Sequence, residues 1–311
     1  MSHYNAGLFF WPGDPNRLGF NPLIQGESRP YSMNRDGTGK KDLSQQAGFA
    51  YGFNASPDGK RIAYHQDYQV YLADADGATA RKVETGHPFV FCPAWSPDGQ
   101  WVEFLSGEHY NCHPHLVKRD GTGLRKLADR GGYKGTMLFL DVPDYHEGSS
   151  DLPCWAPDSQ WVCYTAKVGE AVELMRVWLD GKVEPLSHSK PGVLHYHPKV
   201  APDGKRVVFG YTRDGVRQLW VAKADGSEAR PITALTKGHA AMHAHWQPVA
   251  AEGSGNRLST GHEGKGNPMH KLFLPGEINE RVNCCDRIEP LHKHPANPLL
   301  VADRPWETGV G

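Results

Sequence analysis

Ser56-Pro57-Asp58-Gly59 runs into Arg61-Ile62-Ala63-Tyr64, and the pattern returns as Ser96-Pro97-Asp98-Gly99 before Trp101-Val102-Glu103-Phe104. Two more copies follow: Ala156-Pro157-Asp158-Ser159 before Trp161-Val162-Cys163-Tyr164, and Ala201-Pro202-Asp203-Gly204 before Arg206-Val207-Val208-Phe209. Proline presets φ for a turn, and Asp-Gly tolerates the positive φ of a tight hairpin. A second Asp-Gly pair trails each copy, at Asp76, Asp120, Asp180 and Asp225, with an earlier one at Asp36. The unit therefore reads as strand, Pro-Asp-Gly turn, strand, loop, strand, Asp-Gly turn, strand.

Four such strands make one blade, so the fold class is all-β, a β-propeller of four-stranded antiparallel blades. Pro57, Pro97, Pro157, Pro202 and Pro248 are 40, 60, 45 and 46 residues apart. The long interval marks an insert near Ala128–Ser150, placed where propeller loops carry function. The N-terminal stretch supplies three strands in mid-blade, within Gly7–Trp11, Arg29–Arg35 and Lys40–Ser44. Joining Met242–Val249 to them closes the ring by mixing N- and C-terminal strands. That count gives five blades, or six if the tail adds strands. Residues 1–251 are then the propeller; 252–311 are a Gly-, Ser- and Asn-rich linker and a tail.

Thirty-four basic against 35 acidic residues give a net charge of −1, which offers no field for nucleic acid. No apolar run reaches membrane-span length. No signal peptide is visible after Met1, which favours the cytoplasm with the periplasm as alternative. Six cysteines show no C-x-x-C spacing, and most sit in strand-like segments as small apolar side chains.

Histidine is over-represented, at 17. The innermost strands carry His195-Tyr196-His197-Pro198 before Pro202 and His243-Ala244-His245 before Pro248. Residues i and i+2 of a strand point to one side. His197 and His243 each lie five residues before their turn proline, hence at similar depth. The four imidazoles His195, His197, His243 and His245 are candidate ligands for a divalent cation, Mn, Zn or Fe. The same residues also suit hydrogen-bonded structural roles.

The repeated turns resemble those of TolB-like, WD-type propellers over about residues 29–250. His195-Tyr196-His197-Pro198 with Ala201-Pro202-Asp203-Gly204 and Gln218-Leu219-Trp220 is similar to the metal-binding segment of oligogalacturonate lyases. So are Gly86-His87-Pro88 and Ser106-Gly107-Glu108-His109 to another part of that family. The resemblance implies a manganese ion, β-elimination from uronate sugars and His87 as catalytic base. Two family ligands would fall on Gly192 and Leu152, which cannot coordinate; His243, His245 or the insert's His146 are replacements. His146, His109 and Glu108 are further candidate ligands or substrate contacts. The implied partner is an acidic oligosaccharide. The alternative is a non-catalytic propeller that docks a protein or peptide on its face. Residues after Lys271 resemble the opening of a glycosidase-like propeller domain.

Overall fold

The computed structural model describes residues 8–24, 27–44, 48–108, 111–133, 138–139, 142–143, 152–237, 239–241 and 244–246. Among these residues every regular element is a strand. Five four-stranded antiparallel units follow one another along the chain. The first contains Phe9–Trp11, Asp14–Phe20, Tyr31–Asn34 and Lys41–Asp42. The second contains Ala50–Ala55, Arg61–Gln66, Gln69–Asp74 and Arg81–Lys82. The third contains Phe89–Trp95, Trp101–Glu108, Asn111–Lys118 and Arg125–Lys126. The fourth contains Cys154–Trp155, Trp161–Val168, Ala171–Trp178 and Val183–Pro185. The fifth contains Leu194–Val200, Arg206–Arg213, Val216–Lys223 and Arg230–Pro231. A single parallel pairing, Val172 with Leu194, joins the fourth and fifth into one sheet.

The turns form as their side chains dictate. Ser56 Oγ donates to Asp58 Oδ1 at 2.5 Å and accepts Arg61 N–H at 3.0 Å, while Gly59 N–H closes on Ser56 O at 2.8 Å. Ser96 and Asp98 repeat this at 2.5 and 2.9 Å. In the second turn of each unit the aspartate caps the amide two residues on, from Asp36 to Thr38 through Asp225 to Ser227. These local bonds end each strand and fix its register, independently of distant contacts.

Apolar faces of successive units pack on one another. Trp95, Phe104 and Val117 of the third unit meet Ala63 and Leu72 of the second. Leu116 and Ala94 meet Val162, Tyr164 and Val177 of the fourth. Cys163 and Leu174 meet Val207 and Phe209 of the fifth. Burial of each such large side chain stabilises the fold by about 1.5–3 kcal/mol. Cys92, Cys112, Cys154 and Cys163 are buried; Cys284 and Cys285 lie outside the described residues.

Two expectations are corrected here. The N-terminal sheet has four strands, because Asp14–Phe20 pairs between Phe9–Trp11 and Tyr31–Asn34. Pro15 sits at that strand's exposed start, and Gly19 makes room for the Phe9 ring: a Cβ there would lie 2.4 Å from it. The inner strands also do not alternate simply. Register breaks between Ala50 and Phe53, Phe91 and Ala94, and Tyr196 and Lys199. At each break one residue has positive φ: Gly52 (89°), Cys92 (59°) and His197 (48°). All three stand five residues before the turn proline, so the bulge is a property of the repeat. It removes the i, i+2 argument for His195 and His197. The tail, 252–311, lies outside the described residues.

Candidate functional site

In the third and fifth units the inner strand starts at the end of the sheet where the second strand finishes and the third begins. Of the described candidates, His87, Glu108 and His195 lie at that end. His195 is 2% exposed. Its Nδ1 lies 2.7 Å from Val172 O, and its ring meets Phe209 and Tyr211 at 5.3 and 5.4 Å. A carbonyl oxygen only accepts, so Nδ1 carries a proton. A backbone carbonyl on one ring nitrogen is how metal-binding histidines are commonly oriented. Glu173, 3.9 Å from the same nitrogen, is held by Ser187 Oγ and by Ser189 N–H at 2.5 Å. His197 is half-buried on the bulge, edge-on to Tyr196 at 5.5 Å. His245 is exposed. His243, His146 and His109 lie outside the described residues, and Glu108 is exposed at the end of its strand.

Among the described residues no group of three or more His, Cys, Asp or Glu side chains is placed to hold a metal ion. His195, with its ring oriented by Val172 O, suits such a group; His197 is brought near it in sequence but not onto one strand face.

His87 precedes the third unit's inner strand and is half-buried. Its Nδ1 lies 2.8 Å from Oγ of the fully buried Ser106, and its ring meets His115 edge-on at 5.5 Å. The Ser106 hydroxyl can accept from Nδ1–H, which leaves Nε2 bare, or donate to Nδ1. His115 Nδ1–H donates to His113 O at 2.8 Å, and burial pushes its pKa down to about 4. His113 Nδ1 accepts the Arg130 amide at 3.1 Å, so it is bare; burial also lowers that imidazole's pKa. Its 3.7 Å approach to Asp129 is therefore no ion pair at neutral pH. Both flanking histidines stay neutral and place no charge beside His87.

Ser106 stands in the sequence only as part of a quoted motif, and nothing in the repeat pattern singles out His113, His115 or Arg130. His113-Pro114-His115 has the same His-x-His pattern as the two inner-strand pairs, but it sits on a third strand. Arg130 opens the insert and is buried, with Nε on Thr165 O at 2.8 Å, NH2 on Thr165 Oγ1 at 2.9 Å, and Tyr133 beneath at 4.8 Å. The start of the insert is thus docked on the fourth unit.

A second buried cluster spans three units. Glu103 is 1% exposed, its Oε2 has no hydrogen-bond partner, and burial raises its pKa to about 8 against the opposing pull of Lys199. Cys154 lies on the inner strand between the two. Its thiol is pushed up by burial and accepts Val200 N–H at 3.4 Å.

Sheets of this order, succession and turn chemistry are those of a β-propeller fold. Solved structures share it. A putative TolB from Agrobacterium tumefaciens superposes with a TM-score of 0.50 at 19% identity, covering 75% of this chain and 80% of that one. Oligogalacturonate lyase in complex with manganese gives 0.52 at 15% identity, covering 75% and 66%. The nidogen/laminin complex gives 0.50 at 15% identity, covering 73% and 78%. At these identities the likeness is one of fold. In sequence, the chain is 26% identical over 185 residues to the uncharacterized protein Atu1656 of Agrobacterium fabrum, and 28% identical over 145 residues to the uncharacterized peptidase YuxL of Bacillus subtilis. These alignments cover 58% and 37% of this chain. The chain spans 57% and 21% of the two relatives' own lengths. No family model matches it.

Proposed function

We propose that this propeller is a metal-dependent lyase that cleaves uronate-containing oligosaccharides by β-elimination. The observation that supports it most is the His195 ring, oriented through Nδ1 by Val172 O at 2.7 Å, as metal-binding histidines commonly are. His195 and His197 would hold the cation, joined by His243 and His245 from the next inner strand. His146, His109 and Glu108 are candidates for a remaining ligand or a substrate contact. Manganese is the first choice by resemblance, with Zn or Fe as alternatives. Such a cation, when bound, neutralises the uronate carboxylate and acidifies the adjacent C–H. His87 is the base: Nε2 takes that proton while Nδ1–H donates to Ser106. The C–H electrons form the ring double bond, the glycosidic C–O bond breaks, and the leaving oxygen gains a proton.

We assign six blades to the ring, the sixth opened by Trp246. Its Nε1–H donates to Lys199 O at 2.8 Å, as Trp155 Nε1–H donates to Ala94 O at 3.1 Å. Each tryptophan stands two residues before its turn proline, and each acceptor three before the preceding one. In this reading the ring closes between the N- and C-terminal strands.

A second reading, a non-catalytic propeller that docks a protein, is favoured by Leu8, just before the first strand, and Phe10 on it, 60% and 63% exposed. Elemental analysis of untagged protein, with and without His195→Ala/His197→Ala, separates the two. Bound metal in the parent that the double variant loses, with ultraviolet absorbance from unsaturated uronate, supports the lyase. Metal-free parent protein and no product from a panel of uronate oligosaccharides would overturn it in favour of docking.

A further inference from the structure

The turn between the second and third strands of the second unit is Asp67-Tyr68, and both residues have positive φ, 48° and 59°. The fifth unit makes the equivalent turn with Asp214-Gly215 at 54° and 74°. A tyrosine thus stands where the fifth unit uses glycine, and a bulky residue at that positive φ is strained. The main chain does not call for it. The turn is anchored to the third unit by Val90 N–H on Tyr68 O at 2.9 Å, a bond glycine would make without strain.

The ring is what the strain delivers. Tyr68 is half-buried, edge-on to Phe89 at 5.3 Å and to Phe91 at 5.6 Å. Phe89 is half-buried and Phe49 is 46% exposed. Phe49 is tied to the turn by its N–H on Asp67 Oδ1 at 2.9 Å and by Asp67 N–H on its carbonyl at 3.0 Å. Asp67 is exposed beside this aromatic ledge, and Gln69 borders it with its amide on Pro88 O at 3.3 Å. His87 lies two residues before Phe89. Apolar ring faces edged by acceptors and donors fit a pyranose ring, which has apolar C–H faces and a rim of hydroxyls.

We infer that Tyr68, with Phe89 and Phe49, forms a sugar-ring subsite at the junction of the second and third units, beside His87. The inference rests on the oligosaccharide reading above and extends it to a named binding subsite. Calorimetric titration of the full chain with a galacturonate trisaccharide tests it. Tyr68→Gly relieves the backbone strain and deletes the ring, Tyr68→Asn does the same in a residue that tolerates positive φ, and Tyr68→Phe keeps the ring. Affinity should fall about tenfold in the first two and persist in the third. Thermal unfolding selects whichever of the first two keeps the parent's fold. Equal affinity in parent and ring-deleted protein overturns the subsite and leaves the lyase reading standing. Tyr68-dependent binding with no unsaturated product overturns the lyase chemistry and leaves the subsite standing. A parent that binds no trisaccharide overturns both.

Discussion

Glu103 should make this protein less stable as pH rises through neutrality, and Glu103→Gln should abolish that loss. The carboxyl is buried, with a pKa of about 8 against an ordinary 4.5. Between those values the folded state holds a proton that the unfolded state has released, so stability falls with rising pH and levels off above about 8. At 1.36 kcal/mol per pKa unit the loss amounts to roughly 5 kcal/mol. That is comparable with the whole stability of a small domain. Below about pH 4.5 the side chain is neutral in both states, and glutamine should match it within about 1 kcal/mol. Urea unfolding followed by tryptophan fluorescence, at about pH 5 and about pH 9, reads the difference. The variant should be the more stable at the higher pH, and Lys199→Met, which removes the nearby cation, should be less stable there than the parent. Parallel pH profiles for parent and Glu103→Gln would refute the reasoning.

His115 acts on the other flank. Its pKa of about 4 means that stability falls as pH drops from 6.5, by roughly 3 kcal/mol, and His115→Gln should remove that part of acid sensitivity in the same unfolding assay. Arg130→Met should cost about 3 kcal/mol, because Thr165 O and Oγ1 lose buried donors; a lower urea midpoint at unchanged m checks it. Trp155→Phe removes the bond to Ala94 O and should cost about 1–2 kcal/mol; Trp246→Phe should cost the same if Trp246 opens an equivalent blade. On the lyase reading proposed above, Ser106→Ala should slow β-elimination with little change in KM, and Ser106→Thr should restore the rate, since the buried hydroxyl contacts His87.

What was legible in the sequence is what short-range chemistry determines. Ser56, Pro57, Asp58 and Gly59 settle their turn among themselves, so four copies announce four hairpins without reference to the rest of the chain. Asp14–Phe20 was illegible for the converse reason. Its Pro15 and Gly19 look like loop residues, and only the Phe9 ring lying against Gly19 explains why a strand tolerates them. Strict alternation along the inner strand was the one geometric assumption that did not hold. The bulge that breaks it falls on Gly52, Cys92 and His197, three residue types with no shared propensity for positive φ. The conformation is therefore imposed by the repeat, and only the side chain at that position is free to vary. His197 and His243 occupy the same place in the repeat, each five residues before its proline. If the bulge recurs at His243, then it is these two, and not His195 with His197, that share an orientation. On the metal-dependent reading proposed above, His197→Ala and His243→Ala should then lower bound metal equally in elemental analysis, His195→Ala should differ, and unequal losses from the first two would refute the shared orientation.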